Sequence, residues 1–349
     1  MKKKRISITD IATALQVTPS TVSRALNGGG KVSEKKRQEI LSLAKKLGYR
    51  PNPIAKSLLE NKTYTIGLII PEFTHHFYSR MLAGIESVTA KAGYQLLICT
   101  SNEKQKQEIK STRTLLDARV DGILATISMM NDKFEHLQEV MDSGTPLVLV
   151  DRFSEEIETP YVISDDYNGA FSAVDYLCQT GCRNIIHLKG PENLSTTFNR
   201  LMGYKEALRK HGIEPEEHLI IAGNAPDLNQ KIRTLLKNSR VDGAFAYSDY
   251  LAFEIYKAAN ELKISIPKQL AVIGYADEPI ATYISPSLSS VNQQPFKMGA
   301  KGAKYLLNKI NDTTKLMETT IVKTELILRE SSVILKNAVL DNAPSILVN

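Results

Sequence analysis

Apolar residues recur at helical spacing three times in the first fifty positions. Residues 8–15 put Ile8, Ile11, Ala12 and Leu15 on one face, with Ser7 or Thr9 able to cap the start. After a break at Gln16-Val17, Thr18 offers an N-cap hydroxyl. Pro19 then takes the first helical position, where its missing N–H costs nothing. The second helix is predicted over 20–26, with Val22, Ala25 and Leu26 apolar, and Asn27-Gly28-Gly29-Gly30 stops it. Ser33 caps a third helix over 34–47, whose stripe is Ile40, Leu41, Ala44 and Leu47; Gly48 ends it. Two short helices joined by a tight turn and braced by a third predict a helix-turn-helix. Pro51 and Pro53 then isolate residues 54–60, two turns that would be marginal alone in water and are expected to order only against a partner.

Beyond residue 62 the pattern changes. β-rich runs at 65–71, 95–101, 122–127, 146–151, 184–190, 218–222, 243–248 and 270–275 alternate with amphipathic stretches at 77–92, 105–118, 170–180, 201–210 and 252–262. This alternation predicts parallel sheets covered by helices. Two groups of strands, echoed by Val120-Asp121-Gly122 and Val241-Asp242-Gly243, predict two similar lobes. In open parallel sheets ligands bind beyond the carboxyl ends of strands, and two facing lobes make a cleft. The candidates for ligand contact are therefore Phe77, Tyr78, Ser128, Asp151, Arg152, Arg200, Asp249 and Asp277. Several have a second reading: Asp249 as a helix cap, Phe77 as lobe core, Asp151 and Arg152 as partners of each other. The hydroxyl-binding side chains among them favour a sugar or sugar phosphate. Trp is absent, so any ring stacking falls to Phe or Tyr.

Charge separates the two regions. Residues 1–62 carry 14 Lys/Arg and 4 Asp/Glu, a net of +10, whereas the remainder carries 30 and 34, a net of −4. A basic head on an acidic body points to a polyanion for the head alone. On the outer side of the second helix stand Ser20, Thr21, Ser23 and Arg24, groups suited to the major groove of double-stranded DNA. Arginine binds guanine O6 and N7 together, and hydroxyls donate to phosphates. At 349 residues the chain calls for two or three domains. Met1-Lys2-Lys3-Lys4-Arg5 leads into no apolar segment, and no run of eighteen apolar residues follows, so neither secretion nor a membrane span is expected. The expected compartment is the cytoplasm, with Cys99, Cys178 and Cys182 reduced. Cys178 and Cys182 near His187 lack a fourth ligand at useful spacing, so no metal is expected. No phosphate loop and no catalytic triad or carboxylate pair is marked out, so neither a cofactor nor an enzyme is expected. A transport protein and an enzyme fused to a DNA-binding head are the weaker alternatives.

Residues 18–27 (TPSTVSRALN), 47–52 (LGYRPN) and 55–58 (AKSL) resemble, in order and spacing, the LacI/GalR family of bacterial repressors. The resemblance extends over nearly the whole chain. It implies a helix-turn-helix head (1–50), a hinge helix (51–62), and a two-lobed periplasmic-binding-protein-like core (63–336). Three crossovers would make each lobe discontinuous, with an N-lobe of 63–162 plus 291–322 and a C-lobe of 163–290 plus 323–336. It implies base contacts from Pro19, Ser20 and Arg24, backbone contacts from Thr21, Ser23, Asn27 and Lys56, and a minor-groove wedge at Leu58. Arg200, Asp249, Phe77 and Tyr78 fall at the family's ligand-lining positions. Residues 337–349, interrupted by Pro344, are too short for the heptad helix that makes some members tetramers, so a homodimer is expected. Two positions depart from the family pattern. Gln16 stands where most members have glycine, and Ala276 stands where an acid usually follows the aromatic residue, with Asp277 one place later.

Overall fold

The computed structural model describes residues 6–28, 30, 32–49, 62–129, 133–238, 240–311 and 319–333. These residues form two compact units, one ending at Thr63 and one beginning at Tyr64.

The first unit holds three helices: α1 (Ile8–Ala14), α2 (Pro19–Asn27) and α3 (Glu34–Lys46). Each start has a chemical cause. Ser7 accepts from the Asp10 amide while the Asp10 carboxylate accepts from the Ser7 amide, a capping box. Thr18 and Ser33 cap α2 and α3 through the amides of Thr21 and Lys36. Gln16 adopts the left-handed conformation (φ 53°) that glycine would take freely, at a cost of about 1–2 kcal/mol. Ile11, Ala12, Val22, Ala25, Ile40 and Ala44 form the core. Leu47 does not join it: it caps α3 and stays exposed. The chain reverses at Gly48, Tyr49 N–H donates to the Ala44 carbonyl at 2.9 Å, and Tyr49 packs on the core together with Leu43.

The second unit contains two six-stranded sheets. The first has the order β11-β5-β4-β3-β1-β2, all parallel, from β1 (Thr65–Ile70), β2 (Gln95–Thr100), β3 (Gly122–Ala125), β4 (Leu147–Val150), β5 (Tyr161–Ser164) and β11 (Thr320–Val322). The second has the order β12-β10-β9-β8-β6-β7, from β6 (Ile185–Lys189), β7 (Ile220–Ala222), β8 (Gly243–Ala246), β9 (Ala271–Tyr275), β10 (Ser289–Asn292) and β12 (Glu325–Ile327). Only the β10–β12 pairing in it is antiparallel. The chain passes between the sheets after β5, after β10 and after β11, so each lobe is built from separate stretches of sequence.

Helices cover both faces of both sheets: α4 (His76–Thr89), α5 (Gln105–Asp117), α6 (Glu135–Asp142), α7 (Asp166–Gln179), α8 (Ser195–Lys210), α9 (Leu228–Asn238), α10 (Asp249–Glu261) and α11 (Pro295–Asn311). The central strands accordingly read as unbroken apolar runs. Ile66, Leu68 and Ile70 face one helical layer, whereas Ile69, Ile123 and Leu149 face the other. No helix among the described residues is long and apolar enough to cross a membrane.

Helices α4 and α11 cross closely over the first sheet. A Cβ added at Gly84 would overlap the Phe296 carbonyl, and one at Gly299 would overlap the Met81 carbonyl. Both obstacles are backbone, so neither can move aside cheaply. Gly299→Ala is expected to lower stability by about 1–3 kcal/mol, read as a fall in the denaturant midpoint at unchanged slope. A loss below about 0.5 kcal/mol would mean that the crossing relaxes freely.

Candidate DNA-reading helix and effector cleft

Helix α2 buries Val22 and Ala25 and turns its other side to solvent. Pro19, Ser20, Arg24 and Asn27 are exposed, and Thr21 and Ser23 are half-buried. The hydroxyls of Ser20 and Thr21 meet the Thr18 hydroxyl at 2.8 and 2.9 Å, which orders the N-terminal turn. Asn27 Nδ2 donates to Ser23 Oγ at 3.4 Å. Arg24 makes no ion pair among the described residues, and its methylenes lie against Gly30. Leu58 and Lys56 lie outside the described residues.

The other candidates gather where the carboxyl ends of the two sheets meet. Arg152, buried just after β4, is held by four hydrogen bonds. Nη1 donates to Glu103 Oε2 (2.9 Å) and the Ile127 carbonyl (3.0 Å); Nη2 donates to Glu103 Oε1 (3.0 Å) and Tyr78 Oη (3.1 Å). Its Nε stands 3.7 Å from Asp151 Oδ2. Asp151 itself has a left-handed backbone (φ 74°), and burial pushes its carboxyl up to about 6 despite Arg152 and Arg200 nearby. From the second lobe, Arg200 donates through Nε to Asp166 Oδ1 (2.8 Å) and through Nη1 to the Tyr247 carbonyl (2.6 Å). Its guanidinium lies 4.4 and 3.7 Å from the ring centroids of Tyr247 and Tyr275. A cavity of about 220 Å³ opens between the lobes. Ile127, Ser128, Phe134, Arg152, Phe153, Ser154 and Glu156 line it on one side, Asn193, Leu194 and Ser195 on the other.

The remaining candidates are tied to protein partners. Phe77 is buried in the N-lobe core, edge-on to Tyr78. Ser248, not Asp249, caps α10. The Asp249 carboxylate instead accepts from Ser290 Oγ (2.6 Å) and the Glu278 amide (2.7 Å). Burial pushes it up to about 7 although both hydrogen bonds favour the charged form. Asp277 accepts from Arg329 (2.6 Å) and Asn292 (2.9 Å). Ala276 and Asp277 are both left-handed, so the chain turns sharply out of β9. Glu278, not singled out from the sequence, reaches the other lobe: its Oε2 accepts from the His76 amide at 3.4 Å. Glu103, Asp166 and Tyr247 were also missed. Glu103 and Tyr247 follow β2 and β8 closely, so the strand-end rule applied to every strand would have found them. Glu108 was missed as well. It holds the cavity wall from behind, accepting from the Ser128 amide at 2.7 Å and meeting His136 Nε2 at 2.7 Å.

No group of three metal-binding side chains exists among the described residues. Burial pushes the Cys178 and Cys182 thiols up to about 11 and about 12, and His187 down to about 4. These are protonated thiols and a neutral, packed imidazole.

The raised pKa of Asp249 has a directional consequence. A carboxyl whose folded pKa exceeds its unfolded value near 3.9 stabilises fully only below that value. The contribution is lost as pH rises through about 7. Wild type should therefore lose stability relative to Asp249→Asn between pH 4 and 7, with no further divergence above pH 8. Thermal midpoints of both proteins across that range check it; parallel curves would show that burial does not govern this group.

The profile for bacterial regulatory proteins of the lacI family matches residues 7–52, and that for a periplasmic binding protein-like domain matches residues 174–332. The chain is 31% identical to a ribose operon repressor of Halalkalibacterium halodurans over 328 residues, 93% of this chain and 97% of the relative. Among solved structures it is similar to the transcriptional regulator CelR in complex with cellobiose (TM-score 0.71, 29% identity, 94% of this chain and 100% of that one). The fold also matches the lac repressor dimer bound to operator and an anti-inducer (TM-score 0.82, 21% identity, 95% of this chain and 100% of that one). With a DNA-reading head and a ligand-binding core matched over nearly its whole length, the chain belongs to the LacI family of bacterial transcription regulators.

Proposed function

We propose that this regulator is a cytoplasmic repressor that binds a near-palindromic double-stranded DNA operator as a homodimer. A small polyhydroxylated effector, a sugar or sugar phosphate, sets its DNA affinity. The observation that carries the reading is α2, which displays an arginine without an ion-pair partner among the described residues, beside ordered hydroxyls, on a unit whose charge is strongly positive. Pro19, Ser20 and Arg24 read bases in the major groove, and Thr21, Ser23 and Asn27 hold the backbone. The hinge segment, with Leu58 as wedge and Lys56 on the backbone, orders in the minor groove. Ser128, Asp151, Arg152 and Arg200 meet the effector, with Tyr78 held in place by Arg152. Phe77, Asp249 and Asp277 shape the walls from their protein partners. The ribose operon repressor and the cellobiose complex among its relatives support a sugar, and the lac repressor dimer on its operator supports the assembly. Effector binding changes operator affinity only as far as it favours one arrangement of the lobes over another.

Arg24→Ala should weaken binding to the operator by about 1–3 kcal/mol, some tenfold to hundredfold, and relax selectivity at one base pair. Fluorescence anisotropy on an operator selected from random DNA by the full chain measures this; unchanged affinity sinks the assignment of α2.

The homodimer has its own support. On the turn Pro279–Thr282, Ile280 is 48% exposed, and Tyr283 just after it is 86% exposed. Such an apolar pair is suited to cover by a second copy. Tyr283→Asp should raise the dimer dissociation constant roughly thirtyfold or more, the loss of about 2 kcal/mol expected of a central contact. Sedimentation equilibrium reads this directly, and an undiminished dimer would place the interface elsewhere.

A further inference from the structure

We infer that the cleft takes an uncharged polyhydroxylated molecule and rejects the phosphate ester of the same molecule. The inference rests on the cleft being the effector site, and it follows from where the charges are already spent.

An anionic ligand needs a cation free to meet it. Arg152 is the cation among the residues lining the cavity, and it has none to give. Both Nη atoms are held by the two oxygens of Glu103, and Nε faces Asp151 at 3.7 Å, so two carboxylates share one guanidinium. Arg200 is equally committed: Asp166 holds Nε and Nη2 at 2.8 Å each, and the Tyr247 carbonyl holds Nη1. Lys189, at the end of β6, is paired with Glu192 at 2.7 Å. The net charge around Arg152 is negative, because two carboxylates face one guanidinium. Asp151 is buried, and among the described residues no hydrogen-bond donor reaches its carboxylate. Glu156 puts a carboxylate at the cavity wall itself, while Asp151 lies buried beside Arg152. The N-terminus of α8, at Ser195 in the opposite wall, supplies about half a positive charge, too little to offset two carboxylates.

The other lining groups suit hydroxyls and carbon. Ser128, Ser154, Ser195 and Asn193 give and accept hydrogen bonds, and the Phe134 and Phe153 rings offer apolar faces. A diol can donate its protons to the Glu156 carboxylate at the wall and exchange hydrogen bonds with the serines and Asn193. A phosphate brings acceptors only, against like charge. With its carboxyl pushed up to about 6, Asp151 is ionised at pH 7.5 and repels an anion there.

The test is calorimetric titration of the full chain at pH 7.5 with matched pairs: D-ribose and D-ribose 5-phosphate, D-glucose and D-glucose 6-phosphate, D-fructose and D-fructose 6-phosphate. At least one free sugar should bind about a hundredfold or more tighter than its ester. Asp151→Asn should narrow that ratio at least tenfold. The exposed Glu156→Gln, which disturbs no buried pair, should narrow it in the same direction. An ester that binds as tightly as its parent sugar overturns the inference and leaves the effector reading standing. A ratio unchanged in both variants overturns the electrostatic cause and the inference with it. If no member of any pair binds, the effector reading itself fails, and the inference falls with it.

Discussion

A guanidinium buried at the end of a parallel strand cannot stay there without a carboxylate. Removing such an ion from water costs several kcal/mol, which only close pairing and full hydrogen bonding offset. The second unit buries a guanidinium against a carboxylate twice, Arg152 after β4 with Glu103 in one lobe and Arg200 on α8 with Asp166 in the other. Much of the cleft follows from it. To bring Glu103 under Arg152, the chain after β2 takes two consecutive left-handed residues, Asn102 and Glu103. Arg152 then ties the ends of β2, β3 and β4 together with the first turn of α4 through Tyr78. Arg200 does the same for α7, α8 and β8. The facing walls are thus held by the protein's own pairs, which lowers the ordering cost that binding has to meet.

Arrangements of this kind explain what could be read from the chain and what could not. The head was legible almost to the residue because local chemistry decides it: capping hydroxyls at Ser7, Thr18 and Ser33, Pro19 at a helix start, glycine at the stops. Two residues of the third helix were misplaced: Leu43 rather than Leu41 packs on the core, and Leu47 came from extending a helical stripe past the point where Gly48 turns the chain back and Tyr49 takes over the packing. The long buried strands of both sheets were legible because both faces are covered and their apolar runs are continuous. Strands β5, β10, β11 and β12 were not, because three or four residues such as Ser289-Ser290-Val291-Asn292 carry too little apolar pattern. Helices α6, α9 and α11 were also not delimited; α11 carries glycines at its crossing with α4, where an apolar pattern alone gives little warning.

The site was legible in outline by the strand-end rule, and illegible wherever a side chain's role depends on a partner distant in sequence. Nothing near Arg152 announces Glu103, 49 positions earlier, and nothing near Asp249 announces Ser290, 41 positions later. A titratable residue at a strand end is therefore a candidate until its partners are known. Once they are, Asp249 reads as a latch and Asp151 as an acid still in want of donors.

The departure at Ala276 then acquires a physical meaning. With alanine in a left-handed turn after Tyr275, the acids that follow are carried elsewhere. Asp277 goes to Arg329 and Asn292, and Glu278 crosses to the start of α4, where it meets the His76 amide and lies 3.9 Å from His75 Nδ1. Asp249 secures that turn by accepting the Glu278 amide. This segment thus commits Asp277 within its own lobe and Glu278 to the other lobe. The carboxylates left near the cleft come from the opposite lobe, Glu156 on the cavity wall and Asp151 beside Arg152. On the reading proposed above, ligand choice and the holding of the cleft walls then depend on the same few charges, since the carboxylates around Arg152 and Arg200 that pair those arginines also set the charge of the cleft.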